Sequence, residues 1–241
     1  MELTAFLSAD DARRAEHTLG VLARHEIEPL ALTGGLAIEM HCVRRGLPAD
    51  MRPLNDIDFV ASTFSDIAQT LDADFIFRHV HPCESPGKML VQCVDAVAAL
   101  RVDIFRACGN TMARTEHFEL YGRLLRVVSL ADLAARAARL CMDLAAGVAV
   151  PAKHARDFLR LLPLVNLGAM EPVWQEHRKA AHPDAFAETA NLLANLIATT
   201  EDLLITPVYS RDTTAACPRC VPTTPFSLAD AGTMLALLGY C

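Results

Sequence analysis

The chain has 241 residues, 52% of them apolar and 21% charged, with 11 Gly and 13 Pro. That composition excludes a disordered or collagen-like chain, and the length suits one large domain or two modest ones. A formal charge of −7 argues against a protein that coats nucleic acid. The longest run without Asp, Glu, Lys or Arg, Thr189 to Thr200, falls short of the roughly 20 apolar residues a bilayer span needs. Glu2, Asp10 and Asp11 stand where a secretion signal needs a basic end and an apolar stretch, so a cytoplasmic protein is expected. Cys42, Cys83, Cys93, Cys108 and Cys141 are scattered, mostly among apolar neighbours, and are expected to be reduced and to act as small hydrophobes.

Ser8 followed by Asp11 predicts a capped helix through about His25. Pro29–Thr33 reads as a short strand ending at Gly34-Gly35, and Leu36 to about Arg45 as a helix stopped by Gly46 and Pro48. Asp56–Val60 alternates polar and apolar, as a strand with one wet face does. A helix is expected over Phe64–Leu71, then strands at Phe75–Val80, Met89–Val94 and Leu100–Phe105. A hairpin follows over Phe118–Val128. Beyond Ser129-Leu-Ala-Asp132, a capping pattern, the periodicity is helical: Leu130–Leu144, Pro151–Val165, Glu171–Ala181 and Pro183–Leu204. A Thr-, Pro- and Cys-rich stretch then precedes a last helix capped by Ser227. Residues 1–128 therefore form an α/β unit, and residues 129–241 a helical unit with a Cys-containing tail.

The chemistry concentrates in one ordered set. Gly34-Gly35 ends a strand and opens a helix, where backbone N–H groups can approach phosphate closely. Asp56 and Asp58, at i and i+2 on a strand, share one sheet face. Two carboxylates that close repel unless a cation lies between them. Oxygen ligands suit Mg²⁺ or Mn²⁺, and Asp103, on a later strand, can complete a two-metal site.

At Leu32-Thr-Gly-Gly35, Asn55-Asp-Ile-Asp-Phe59 and Val102-Asp-Ile104 the chain resembles the nucleotidyltransferase superfamily related to DNA polymerase β. Within it the segment Arg52-Pro-Leu-Asn-Asp-Ile-Asp58 is most similar to bacterial abortive-infection (AbiE-type) toxins of toxin–antitoxin systems. Leu54 departs from that group's pattern by replacing a hydroxyl residue. The resemblance covers roughly residues 28 to 165. It implies an α+β fold, with a mixed sheet flanked by helices and an all-helical C-terminal domain after it. It also implies Mg²⁺-dependent transfer of a nucleoside monophosphate from NTP to a hydroxyl on a protein, an RNA end or a small molecule. Asp56, Asp58 and Asp103 would be the catalytic and metal-binding acids, with Thr33, Gly34, Gly35, Arg52 and Lys153 against the nucleotide. The alternative is an inactive protein of the same fold that binds a nucleotide or a partner. Family habit also allows a regulating partner protein.

Lys153, Arg156 and Arg160 share a helix face, with Arg136 and Arg139 on the preceding helix. From Arg123 to Arg160 there are seven Lys or Arg against three Asp, a local +4. This reads as a positive wall toward a triphosphate, or as a solvated face with Asp157 pairing Lys153. Either way it is too small for extensive nucleic-acid binding. Cys217-Pro-Arg-Cys220 has zinc-knuckle spacing, but a structural zinc needs four ligands, and His79, His81 and Cys83 are only distant candidates. His79 and His81 share a strand face and could flank the nucleotide. Lys88, after Pro86-Gly87, could touch a phosphate, and Trp174 reads as core or partner surface.

Overall fold

The computed structural model describes residues 1–80, 89–206 and 224–237. Ser8 accepts the Asp11 N–H at 3.1 Å and opens α1 (Ala9–Leu22). Next come β1 (Ala31–Thr33), α2 (Gly34–Arg44) and β2 (Asp56–Ala61). β3 (Ile76–Val80), β4 (Met89–Asp95) and β5 (Leu100–Arg106) follow. β6 (Glu116–Leu120) and β7 (Arg123–Val127) pair across Tyr121-Gly122, two residues with positive φ, which lets a two-residue turn match the strand twist.

The seven strands form one mixed sheet in the order β3-β4-β5-β2-β1-β7-β6. β2 runs parallel to β5 and antiparallel to β1, and β1 runs parallel to β7. β2 lies at the sheet's centre because one of its faces is fully apolar: Ile57 and Phe59 are completely buried, while Asp56 and Asp58 alternate to the other face.

Ser129 accepts the Asp132 N–H at 3.1 Å and opens α3 (Leu130–Cys141). The two-residue β8 (Val150–Pro151) leads into α4 (Ala152–Leu161), followed by α5 (Glu171–His177) and α6 (Phe186–Thr199). β9 (Leu204–Ile205) pairs with β8, and α7 (Leu228–Leu237) packs by β3 with the Leu228 N–H donated to Asp72. α3 packs against α2, α4, α5 and α6, and one apolar cluster runs from Leu3 to Leu235. Phe158 and Leu161 of α4 are fully buried in it. Side chains so buried contribute about 1.5–3 kcal/mol each, enough to fix the helix that carries Lys153. The architecture is α+β, with a mixed sheet flanked by helices and further helices after it.

One expected helix is absent. Phe64–Leu71 forms two 3₁₀ turns, Phe64–Asp66 and Gln69–Ala73. Asp66 accepts the Thr63 N–H at 2.9 Å in a closed capping box, and Ile67 then turns extended. Phe64, Ile67 and Leu71 all reach the core this way, so the apolar spacing is met without an α-helix. The later helices are also shorter than their periodicity suggests. α3 and α4 each end in a 3₁₀ turn, the latter at Leu162-Pro163-Leu164, where proline lacks the N–H a helix needs. Trp174 is fully buried, its indole N–H donated to the Pro183 carbonyl at 2.9 Å.

Candidate active site

A single cross-strand line organises the site. Thr33, Asp58, Asp103 and Gln92 are register partners on β1, β2, β5 and β4. Asp56, one pleat away, adds a third carboxylate, and oxygens of Asp56, Asp58 and Asp103 lie within 4.8 Å of one another. Gln92 donates to Asp103 Oδ1 at 2.8 Å, orienting the most buried of the three. Burial, and then the carboxylates of Asp56 and Asp103, push the Asp58 carboxyl well above its ordinary range. Burial also drives Asp103 up to about 6, with Arg101 opposing and Asp56 adding to the rise. Oxygen-only donors at this spacing, each costly to ionise alone, fit a divalent hard cation.

The positive charge nearest this cluster is internal. Arg101, also on β5, donates to Asp56 and places its Nε 3.3 Å from Asp103 Oδ1. The sequence reading passed over Arg101 and Gln92. Arg101 faces Asp56 across β2 and β5, and Gln92 faces Asp103 across β4 and β5, pairings that become readable only once the register is known.

The glycine turn meets these acids directly. Gly34 has φ +68°, and a Cβ there would lie 1.8 Å from Asp58 Oδ2, so the close approach requires glycine. Gly34 and Gly35 open α2 at the mouth of a cleft that Asp56, Asp58, Arg136 and Lys153 also line. Thr33, the register partner of Asp58, is buried, its side chain makes no cap hydrogen bond, and it lines a neighbouring cavity. Leu54 is buried at the cleft wall, its N–H donated to Asp11 at 3.2 Å.

The basic helix faces divide. Lys153 and Arg136 line the cleft, but Arg156 pairs with Asp50 at 2.8 Å and Arg160 with Glu39. Asp157 pairs with Arg52 at 2.8 Å, where the sequence suggested Lys153. Arg52 is thus clamped beside Gly35, with Glu39 at 3.6 Å. His154, which sequence reading missed, also lines the cleft; burial and then the charges of Lys153, Arg136 and Arg52 push it down to about 4, so it is neutral at pH 7. His79 is 1% exposed on β3, three strands from Asp58, and does not flank the cleft. His81, Cys83, Lys88, Cys217 and Cys220 lie outside the described residues. Among the described residues, no helix is long and apolar enough to cross a membrane.

The sequence matches no protein-family model and no curated protein. In structure the chain is similar to an antigenic nucleotidyltransferase-like protein from Paracoccidioides brasiliensis, at 16% identity and a TM-score of 0.42 over 83% of this chain and 96% of that one. It is also similar to the antibiotic-resistance factor ANT(2'')-Ia, at 14% identity and TM-score 0.46 over 80% and 99% of the two chains. A third similar structure is JHP933 from Helicobacter pylori, at 14% identity and TM-score 0.39 over 80% and 92%.

Proposed function

We propose that this protein is a divalent-metal-dependent nucleotidyltransferase that moves a nucleoside monophosphate from NTP to a hydroxyl acceptor and releases pyrophosphate. The observation that carries this reading is the meeting of Asp56, Asp58 and Asp103 within 4.8 Å beneath the Gly34 turn. Acids gathered so closely at a helix N-terminus serve anion chemistry only with cations among them.

Asp56, Asp58 and Asp103 would hold Mg²⁺ or Mn²⁺. When bound, such ions stabilise both the attacking and the leaving oxygen of an in-line displacement. The N–H groups at the start of α2 face the triphosphate, and Lys153 and Arg136 add positive charge along the cleft. Arg52, held by Asp157, keeps the wall beside Gly35 in place. Asp103 would also take the proton from the acceptor hydroxyl. The acceptor oxygen bonds to the α-phosphorus as the bond to pyrophosphate breaks. With Arg156 and Arg160 already paired, the cleft favours a compact acceptor over a long polyanion. The finer likeness to abortive-infection toxins rests on the sequence motif, and a regulating partner protein on that likeness alone.

A thermal-shift panel tests this: ATP, GTP, CTP and UTP, each with and without Mg²⁺, on wild type and Asp56→Asn/Asp58→Asn. Ligand at about 100 times its Kd adds about 2.7 kcal/mol of apparent stability. A Mg²⁺-dependent shift lost in the double variant supports the reading; no shift with any nucleotide overturns it. One observation favours the inactive alternative, a nucleotide- or partner-binding module: Arg101 already supplies a cation to Asp56 and Asp103. On that reading nucleotide binds equally well without Mg²⁺.

A further inference from the structure

Next to the cleft, and sharing Arg136 with it, lies a second set of chemically active side chains. Cys108, Asp132, Arg136, Arg139 and His177 line a cavity of about 40 Å³. His177 is 4% exposed and places Nε2 3.0 Å from Asp132 Oδ1. Asp132 is itself completely buried and is held by Ser129, Thr111 and Arg114. The other imidazole nitrogen, Nδ1, is buried with no well-formed hydrogen bond. Arg139 approaches the Cys108 sulfur at 3.8 Å. Carboxylate, imidazole and thiol thus gather at one cavity, with a guanidinium beside the sulfur.

We propose that Cys108 is an oxidation site whose reactant is hydrogen peroxide and whose product is the sulfenic acid. Electrostatics support the geometry. Burial opposes an ionised thiol, but contact with His177 and the charges of His177, Arg139 and Arg136 together hold Cys108 below its usual range. His177 is raised despite burial, through Asp132 and Cys108. A thiol lowered beside a raised imidazole ionises more readily than the chain's other buried cysteines, and the thiolate is the nucleophile. The sulfur attacks one peroxide oxygen, the S–O bond forms and the O–O bond breaks. Sulfur loses two electrons, and the departing hydroxide takes the His177 proton and leaves as water. The outcome is neutral imidazole and Cys–SOH, the first and reversible step of thiol oxidation.

On the same measure one water needs about 10–15 Å³, so the cavity admits a reactant the size of peroxide. The chain also carries its own controls. Cys42, Cys93 and Cys141 are buried free thiols, and burial raises all three, Cys141 to about 12. Nothing here depends on nucleotide transfer.

The test is a short peroxide pulse on the wild-type protein, quenched with catalase and denatured in dimedone. Adducts at each cysteine are then counted by peptide mass spectrometry. Cys108 is expected to be oxidised at least about tenfold faster than Cys42, Cys93 or Cys141, and His177→Gln to slow it about tenfold. Equal labelling of Cys108 and Cys141 overturns the proposal, as does an undiminished rate in a His177→Gln variant with wild-type circular dichroism. Should that variant not fold, the wild-type pH profile decides. The Cys108 rate is expected to rise less from pH 7 to 8.5 than that of glutathione under the same conditions; an equal or steeper rise overturns the proposal.

Discussion

Asp58 on β2 stands opposite Asp103 on β5 in parallel register, so two carboxylates face each other on adjacent central strands. With Asp56 they form a cluster whose charge is tolerable only when a cation or protons neutralise it. Asp58→Asn keeps the shape and removes one charge. Without divalent ions the variant is expected to melt above wild type, by about 2–4 °C for each kcal/mol of repulsion relieved. Millimolar Mg²⁺ raises the wild-type midpoint but leaves the variant unmoved, and nucleotidyl transfer falls by at least about a hundredfold. Differential scanning calorimetry with and without Mg²⁺ checks the first two outcomes. A variant less stable than wild type in EDTA shows that the cluster is not under repulsion.

The pH dependence of this cluster has a definite sign. Asp103, ordinarily near 3.8, is raised to about 6 in the folded chain. Its protonated form therefore favours folding: that stability is complete below about pH 4 and is lost as pH rises through about 6. The interval corresponds to about 3 kcal/mol at most. Divalent binding runs the other way, because the ligands must be deprotonated, so Mn²⁺ affinity falls about tenfold per unit below pH 6. Urea unfolding from pH 4.5 to 8 in EDTA measures the first effect, and its pH slope should shrink in Asp103→Asn. Titration calorimetry with Mn²⁺ measures the second; affinity unchanged between pH 7 and 5 contradicts it.

The acids and the glycine turn were legible because their cause is local. Period 2 alone places Asp56 beside Asp58, and a Gly-Gly pair between apolar runs leaves few backbone options. Arg101 and Gln92 were not, since their roles depend on which strands neighbour β5. Asp157 shows the same limit: helical spacing offered Lys153, but tertiary packing brought Arg52 to 2.8 Å. The Phe64–Leu71 segment misled because 3₁₀ turns and an α-helix can bury the same apolar spacing. Asp132 read only as a capping acid; it also binds Arg114 and His177, partners far away in sequence.

Asp132 in consequence carries a fold-wide load. It accepts from Arg114 at 2.7 and 2.9 Å while Arg114 also grips Glu176 at 2.6 Å, tying α3 to α5. Burial opposes its charge, but Arg114, His177, Ser129 and Thr111 together hold the carboxyl well below its ordinary range. A depressed carboxyl contributes stability above about pH 4 that is lost as pH falls further. Asp132→Ala leaves Arg114 and His177 without that partner and is expected to cost about 3–5 kcal/mol. Urea denaturation at pH 7 reads the loss, and the variant's stability should depend less on pH below 4. A cost under about 1 kcal/mol places the strength of the network elsewhere.

Gly34→Ala tests the close approach between turn and acids. The methyl would meet Asp58 Oδ2 at 1.8 Å on a backbone already at φ +68°. Backbone strain of this kind costs about 1–3 kcal/mol, and the displaced Asp58 could no longer share a cation with Asp103. The expected outcome is a folded but less stable protein with no Mg²⁺-induced rise in midpoint. A full Mg²⁺ response in Gly34→Ala shows that ions bind away from Asp58.

Arg101 separates the two functional readings. Its guanidinium, on a side chain 29% exposed and drawn to Asp56 and Asp103, neutralises part of the cluster when no metal is present. Arg101→Gln removes that charge while retaining a donor. Without divalent ions the variant should lose about 1.5–3 kcal/mol, the worth of hydrogen bonds to a charged group. It should also bind Mn²⁺ more tightly, by a few-fold to about tenfold, because an internal competitor is gone and the screening of a partly exposed group limits the gain. If wild type already binds Mn²⁺ and supports transfer, Arg101 is a counter-ion that yields to the metal. If only Arg101→Gln binds Mn²⁺, the arginine has taken the metal's place and the native protein is the nucleotide- or partner-binding module. Unchanged affinity and unchanged stability together would remove Arg101 from both accounts.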